Sequence, residues 1–140
     1  MIENILISAC LLGETCRYDG KSKAYPKADR LKEKYNLIPV CPEILGGLKT
    51  PRTPCEIQSG RVIDQKGIDK TLEYKKGAEI ALALARENNC HMAILKSKSP
   101  SCGKGRIYDG TFSKSLRDGN GITADLLIKN GIKVIREDEL

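Results

Sequence analysis

The chain has 140 residues, 40% apolar and 30% charged, a composition typical of one soluble globular domain and not of a disordered or membrane-spanning chain. Its net charge of +6 would suit an anionic partner, but with no Trp and a single Phe it lacks the aromatic side chains that stack nucleic-acid bases, so we expect no nucleic-acid partner. Its six cysteines contain no C-x-x-C pair, which argues against a zinc ribbon and a thioredoxin motif.

The N-terminal residues 1–7, MIENILI, lack a basic segment followed by a long apolar one, so they predict a strand and not a signal peptide. No apolar run approaches the roughly 20 residues that a membrane span needs. We therefore expect a cytoplasmic protein without a membrane partner, in a reducing compartment where the cysteines do not form a disulfide framework.

The first half of the chain predicts two buried strands with a helix between them. Residues 5–9 form a short apolar run that delivers Cys10 to a strand end. Apolar residues at helical spacing predict an amphipathic helix of about 10 residues that opens near Pro26 and ends at Asn36. The run 37–40 predicts the second strand, followed by Cys41. Residues 41–56 hold three prolines and a Gly pair, and predict a long functional loop.

The second half predicts two more helix–strand units. Residues 61–64 favour a short strand, and Asp69 is the expected N-cap of a helix over about 70–88, in which Gly77 would mark close packing. Residues 90–95 predict the third strand, which leads into the polar loop 96–105. Thr123 is the expected N-cap of a helix that ends near Asn130, with Gly131 in the left-handed end position and a last strand over 132–135.

This alternation predicts an α/β fold with a mostly parallel sheet of about four strands and flanking helices. Ligands of such sheets bind outside the carboxyl ends of the strands. Cys10, Cys41 and Cys102 each follow the carboxyl end of a predicted strand. We therefore expect their thiols to converge on one edge of the sheet.

The convergence alone leaves several chemistries open. Low-molecular-weight phosphatases place C-x5-R after the first strand, but here Cys10 is followed at that spacing by Cys16, and Arg17 comes one residue late. Zinc accepts three or four thiolates, and Cys16 or Cys55 could complete such a site. Iron–sulfur clusters also use thiolates, and three protein ligands would leave one iron open for Lewis-acid chemistry.

Structural roles are the alternative for several of these residues. A cysteine in an apolar setting usually behaves as a small hydrophobic residue, which is our expectation for Cys90 and also for Cys16 and Cys55. The serines of the loop 96–105 could form turns beside Pro100. His91 is the single histidine and lies outside the site loops, so a Ser-His-Asp triad is not expected.

Three separated motifs resemble those of the bacterial thiouracil desulfurase family. They are SACLLG at 8–13 with RYDG at 17–20, CPE at 41–43 with GGL at 46–48 and TPR at 50–52, and KSKSPSCG at 96–103. The resemblance extends from residue 5 to about residue 135. It implies a single Rossmann-like domain over residues 1–140.

The resemblance also implies the cofactor and the reaction. Cys10, Cys41 and Cys102 would hold a [4Fe-4S] cluster whose fourth iron binds the sulfur of a thiolated pyrimidine such as 2-thiouracil. The base would be hydrolysed from C=S to C=O with release of sulfide and without a redox change. The alternative is a non-catalytic metal-binding module that holds zinc or an iron–sulfur cluster with the same cysteines.

The motif residues suggest further roles in that reaction. Glu43 is the expected general acid/base, because it lies two residues after a ligand. Ser101, next to Cys102, is the expected hydroxyl that orients water. The residues expected to bind the thiobase are Ser8, Arg52, Lys98, Ser99 and Lys104. We expect a monomer or a weak homo-oligomer.

Overall fold

A four-stranded parallel sheet forms the centre of the protein. The computed structural model describes residues 2–21 and 24–140. The sheet consists of β1 (Glu3–Ser8), β2 (Tyr35–Val40), β5 (Met92–Leu95) and β8 (Lys133–Arg136). Its order is β2-β1-β5-β8, and all three neighbouring pairs are parallel. The chain passes from β2 to the opposite side of β1 to form β5, so the strand order reverses beside β1, where open α/β sheets bind ligands.

Helices cover both faces of this sheet. Successive side chains of a strand point to opposite faces, and in β1 both faces carry apolar side chains that are buried. They are α1 (Pro26–Arg30), α2 (Pro42–Leu45), α3 (Thr71–Glu87) and α4 (Ile122–Lys129). Ile5 and Ile7 are fully buried on the face that holds Ala28 of α1, and Leu6 is fully buried on the face that holds α3 and α4. Each of these side chains contributes about 2 kcal/mol through burial. The predicted α/β fold with flanking helices is thus confirmed.

Two antiparallel hairpins lie outside the sheet. The first joins β3 (Cys55–Gln58) to β4 (Arg61–Asp64), and the second joins β6 (Arg106–Tyr108) to β7 (Leu116–Asp118). Only β4 was predicted from the sequence. The other three strands are only three or four residues long, and they stand beside polar and Gly-rich residues, so no alternation reveals them. A third apolar cluster, around Val62, Tyr74 and Ile107, ties both hairpins to α3.

The first predicted helix is shorter than expected. The α-helix covers only Pro26–Arg30 and continues as a 3-10 turn over Leu31–Glu33. Tyr35 and Asn36 instead begin β2, where Asn36 donates a hydrogen bond to the side chain of Asn4 at 2.9 Å. Pairing with β1 therefore overrides the helical spacing of the apolar residues.

The starts of α3 and α4 also differ in detail from the prediction. Lys70, not Asp69, occupies the N-cap position of α3, although Asp69 accepts a hydrogen bond from the Thr71 N–H at 2.8 Å. Thr123 lies in the first turn of α4, whose N-cap position is held by Gly121. A Cβ at Gly121 would lie 2.4 Å from the Ser101 carbonyl oxygen, so the close contact with the preceding loop selects glycine there.

The ends of the helices agree better with the sequence. Gly131 follows α4 with a φ of +81°, as predicted for a left-handed end position. The longest helix, α3, has 17 residues. No helix within residues 2–21 and 24–140 has the length and apolar character needed to cross a membrane.

Candidate active site

A cavity of about 380 Å³ opens at the carboxyl edge of the sheet, beside the point where the strand order reverses. The loops that follow β1, β2 and β5 form its walls together with parts of both hairpins. The cysteines that line it are Cys10, Cys16, Cys41, Cys55 and Cys102. The three thiols predicted to converge therefore face one cavity, and two more thiols join them.

The loop after β1 carries two of these cysteines. Cys10 lies in a 3-10 turn over Ala9–Leu12, which ends at Gly13 with a φ of +98°. Cys16 follows on the same loop, and its carbonyl oxygen is 3.7 Å from the Cys41 sulfur. Sequence reasoning expected Cys16 to pack as a small hydrophobic residue and left open that it completes a metal site. Its position on the loop of Cys10 was the signal that could have placed it at the cavity.

Cys41 and Glu43 are positioned by the short helix α2. Cys41 occupies its N-cap position, and Glu43 stands in its first turn. The backbone of α2 lies directly against that of α3. A Cβ added at Gly77 would lie 1.8 Å from the Pro42 carbonyl oxygen, and a Cβ added at Gly46 would lie 2.0 Å from the Glu73 carbonyl oxygen. The close packing predicted for Gly77 is confirmed, and it fixes the loop after β2 against a long helix.

Glu43 forms an ion pair with Arg52 on the cavity wall, with 2.6 Å between its Oε2 atom and the nearest guanidinium nitrogen. Both side chains are largely buried, at 14% and 9% exposure. The guanidinium makes five hydrogen bonds, to Glu43 twice and to Lys49, Thr50 and the Cys16 carbonyl. Because a guanidinium has five N–H groups, none is left over for a substrate. Arg52 therefore holds Glu43 against the loop of Cys16.

The loop after β5 presents Cys102 through a local hydrogen-bond network. The Ser99 hydroxyl accepts hydrogen bonds from the backbone N–H groups of Ser101 and Cys102, at 3.0 and 2.8 Å. Ser101 is fully buried, lies 2.8 Å from the Thr123 hydroxyl, and is not part of the cavity wall. The structure thus brings Ser99 to the cavity and places Ser101 behind it, where its hydroxyl acts to lower the pKa of the Cys102 thiol against the effect of burial.

Ser8 links the ends of β1 and β5 at the floor of the cavity. Its hydroxyl accepts a hydrogen bond from the Lys96 N–H at 2.9 Å and acts to lower the pKa of the Cys102 thiol. Ser8 is 3% exposed, so its orientation is set by packing. It is therefore a fixed polar group beside the sulfur of Cys102.

Two of the predicted substrate-binding cations lie away from the cavity. Lys98 is exposed and Lys104 pairs with Glu139 at 3.4 Å, and neither contributes to the cavity wall. The cations that do line it are Arg17, Arg52, Lys96 and Lys114. The local sequence could not show which of Lys96 and Lys98 lines the cavity. The loop turns at Lys98, whose backbone is left-handed with a φ of +72°.

Burial and neighbouring thiols raise the pKa of Cys16, Cys41 and Cys102. Burial raises the pKa of Cys102 to about 12, against the lowering effect of the Ser8 hydroxyl. A hydrogen bond with the Cys10 thiol raises the pKa of Cys16 to about 11, and the Cys16 thiol together with burial raises the pKa of Cys41. Metal binding at these residues must therefore displace protons. Among the described residues, no three His, Cys, Asp or Glu side chains are grouped tightly enough to hold a single metal ion.

Fold and site together define an α/β domain with a thiol-rich ligand cavity at the carboxyl edge of a parallel sheet. The sequence profile of the 2-thiouracil desulfurase family matches residues 5–139, and the chain belongs to this family. It is 44% identical, over 146 residues and 97% of both chains, to an uncharacterised protein of Bacillus subtilis strain 168, YbbK. The predicted family is thus confirmed.

A solved structure supports the same assignment. The [4Fe-4S]-dependent thiouracil desulfidase TudS superimposes on the chain with a TM-score of 0.93 and 46% sequence identity, over 99% of this chain and 93% of its own. That protein depends on the cofactor that the sequence motifs predict for this chain. The membership confirms that the chain is of an enzyme family and that its fold is the Rossmann-like α/β fold expected.

Proposed function

We propose that this protein hydrolyses the C=S bond of a thiolated pyrimidine such as 2-thiouracil, with a [4Fe-4S] cluster held by Cys10, Cys41 and Cys102. The observation that carries the proposal is the meeting of these thiols, from three strand ends, in one cavity that also holds a carboxylate. In the net reaction, the oxygen of water replaces the sulfur on the ring carbon, and the sulfur leaves as hydrogen sulfide. No electrons are transferred, so no external oxidant or reductant is needed.

The donor set fits this cofactor. Iron–sulfur clusters are held by thiolates, and a cubane distributes its protein ligands over separate irons, so the thiols need not converge on one point. Cys10 and Cys41 lie on neighbouring loops, and Cys102 closes the third side. When bound by three thiolates, the cluster supplies a soft Lewis-acidic iron that can polarise a thiocarbonyl group.

Cys10, Cys41 and Cys102 are preferred as ligands over the two other thiols of the cavity. Each follows the end of a strand of the central sheet and belongs to one of the three family-like motifs. Cys55 begins a strand of the first hairpin, and its thiol donates a hydrogen bond to the Thr53 carbonyl at 3.8 Å. Cys16 lies farther along the loop after β1, beyond Gly13. We assign Cys16 and Cys55 to the wall around the cluster.

Glu43 is the proposed general base. Its carboxylate is on the cavity wall, and the ion pair with Arg52 holds it at one position while leaving the second oxygen free of that pair. In this role it takes a proton from the attacking water and returns it to the leaving sulfur. Arg52 is a positioning residue here, because all its N–H groups are used by the protein.

The two serines beside Cys102 act on the ligand in this proposal. The hydroxyls of Ser8 and Ser101 both act to lower the pKa of the Cys102 thiol and would stabilise its thiolate, since hydrogen bonds to ligands orient and tune a metal site. This changes the role expected for Ser101 from orienting water to orienting a ligand. Ser99, which lines the cavity, is the hydroxyl placed to meet the thiobase or its water.

Anaerobic reconstitution tests the proposal directly. The protein is loaded with iron and sulfide, its iron and sulfide content per chain is measured, and uracil and sulfide are quantified after addition of 2-thiouracil. We expect about four irons per chain and one sulfide released for each uracil formed. A protein that holds its metal but releases no sulfide contradicts the enzyme proposal and favours the non-catalytic module, and zinc analysis then identifies which metal that module prefers.

A further inference from the structure

The loop between β6 and β7 forms one wall of the cavity, although it belongs to neither the sheet nor the cysteine motifs. Tyr108, Phe112 and Lys114 of this hairpin line the cavity. Phe112 is the single phenylalanine of the chain, and it belongs to none of the apolar core clusters of the described residues. An apolar ring that lines a cavity and not a core is available to contact a ligand.

The backbone of this loop is held in an unfavourable conformation. Phe112 has a φ of +56° and Lys114 a φ of +63°, a region that bulky L-residues rarely occupy. Such conformations persist only where the surroundings impose them, and they concentrate at ligand-binding sites. The strain at Phe112 therefore points to a function for the direction of its side chain.

A buried carboxylate imposes this conformation. Glu56 of β3 is 8% exposed, and its Oε1 atom accepts hydrogen bonds from the backbone N–H groups of Gly110, at 2.9 Å, and Phe112, at 3.2 Å. Gln58, also of β3, donates to the Gly110 carbonyl at 2.7 Å. Glu56 makes no ion pair with the residues that the structure describes. The first hairpin thus fixes the loop of the second.

We infer that Phe112 is the substrate-stacking residue of the cavity and that Glu56 is the positioning residue that holds it there. This inference rests on the proposed function, because it names the ring of the thiobase as the occupant. A flat pyrimidine stacks on an aromatic face, and stacking accepts any planar base without reading its polar groups. Tyr74 is less suited to this role, because it is 2% exposed and packs in the apolar cluster around Val62 and Ile107. Phe112 therefore selects for the planarity of the ring, while the thiol side of the cavity faces its sulfur.

The test compares a planar with a puckered substrate on the anaerobically reconstituted enzyme. 2-Thiouracil and 5,6-dihydro-2-thiouracil carry the same thiocarbonyl and amide groups, but only the first is planar. In Phe112→Leu we expect the Kd and KM for 2-thiouracil to rise about tenfold, the values for the dihydro compound to change less than about twofold, and kcat and iron content to stay near wild type. Phe112→Tyr keeps the ring and should restore tight binding.

Two further variants separate stacking from loop stability. Ser115→Ala changes an exposed residue of the same loop, outside the cavity wall, and should leave both substrates unaffected. Glu56→Ala should reproduce the selective loss for 2-thiouracil, and Glu56→Gln should restore it in part, because an amide oxygen can still accept the two backbone hydrogen bonds. A general loosening of the loop would weaken both substrates equally and would contradict the inference.

The outcomes distinguish this inference from the proposed function. If wild type releases sulfide while Phe112→Leu keeps an unchanged KM for 2-thiouracil, the stacking role is wrong and the desulfurase proposal stands. If wild type releases no sulfide, the desulfurase proposal fails. Calorimetric binding of 2-thiouracil then decides the inference alone: affinity that depends on Phe112 supports it, and absent or unchanged binding overturns it.

Discussion

The two sides of the cavity are built in different ways. The thiol side stands on the ends of three parallel strands and is fixed by backbone contact between α2 and α3 and by the hydrogen bonds of Arg52. The opposite side is a hairpin loop with two strained residues, held by the side chains of Glu56 and Gln58. The two proposed roles fall on these two sides: the sheet edge would hold the cofactor, and the hairpin would recognise the substrate.

The largest expected effect is the loss of the cluster on the thiol side. Cys10→Ala removes one of three proposed ligands, so the reconstituted protein should hold little iron, lack the brown colour of an iron–sulfur protein, and release no sulfide. Cys90→Ala is the matched control, because Cys90 is equally buried but belongs to the core beneath α3. Iron analysis and visible absorbance provide the measurement. A Cys10→Ala protein that retains its full iron content would mean that Cys16 or Cys55 is the true ligand.

The next effect concerns catalysis without loss of the cofactor. Glu43→Gln removes the proposed base but keeps the size of the side chain, so kcat for 2-thiouracil should fall about 10²- to 10⁴-fold. Iron content should stay at the wild-type value, because Glu43 is not a proposed ligand. Steady-state kinetics of the reconstituted enzyme measure this loss. Full activity in this variant would show that Glu43 is not the general base and that another group of the cavity wall has this role.

A smaller effect tests how firmly the thiol side is fixed. Gly77→Ala places a methyl group where the Pro42 carbonyl oxygen now lies, so α2 must move away from α3. We expect the free energy of unfolding to fall by about 2–3 kcal/mol, although alanine favours a helix over glycine by about 1 kcal/mol. Urea denaturation measures the change. Lys76→Ala, on the exposed side of α3, is the control and should cost nothing.

In Gly77→Ala, the displaced α2 also carries Cys41 and Glu43, so iron content and kcat should fall together. Selectivity for planar substrates should remain, since the hairpin loop does not depend on α2. A selective loss of planar-substrate binding in this variant would mean that the two sides are not independent.

The last effect is absent at neutral pH: it is a dependence of stability on pH above 9, from a thiol that is not a proposed ligand. Burial raises the pKa of Cys55 from 9.0 to about 11. Between these values the unfolded chain carries the thiolate and the folded protein keeps the proton, so the folded state binds more protons and stability falls as pH rises. The loss is about 1.4 kcal/mol per pH unit over that window and is absent below it.

Cys55→Ser isolates this contribution, because serine does not titrate there and all other groups are shared with wild type. Denaturation of the reduced proteins at pH 8, 9, 10 and 11 should therefore show a steeper decline for wild type. Because Cys55 is assigned to the wall, the difference between the two proteins should persist after the cluster is loaded. If loading abolishes it, Cys55 binds the metal and belongs with the ligands.

Much of the thiol side could be predicted from the sequence. Apolar runs locate the strands, the order of strands and helices predicts a parallel sheet, and Cys10, Cys41 and Cys102 each lie in a segment that follows a strand end. The carboxyl ends of parallel strands meet at one edge, so the grouping of these residues follows from local patterns and topology alone. The resemblance of the motifs to a family predicted the cofactor and the reaction. Close packing at Gly77 was predicted because glycine is unfavourable in the middle of a helix.

Other features of the site depend on contacts between distant segments, and only the tertiary structure decided them. Arg52 was expected to bind substrate, but its N–H groups donate hydrogen bonds to Glu43 and to the carbonyl of Cys16, which lies 36 residues before Arg52 in the chain. Ser101 was expected at the reaction centre, but its pairing with Thr123 places it behind the wall. Lys98 and Lys104 lie off the cavity wall, and the β6–β7 hairpin lines the same cavity as the thiols. The spacing of apolar residues predicts which side chains of one helix or strand are buried. The hydrogen-bond partner of a polar side chain depends instead on how separate elements pack together. For this reason the sequence by itself located the thiol side of the cavity, and only the tertiary structure brought the β6–β7 hairpin to its other side.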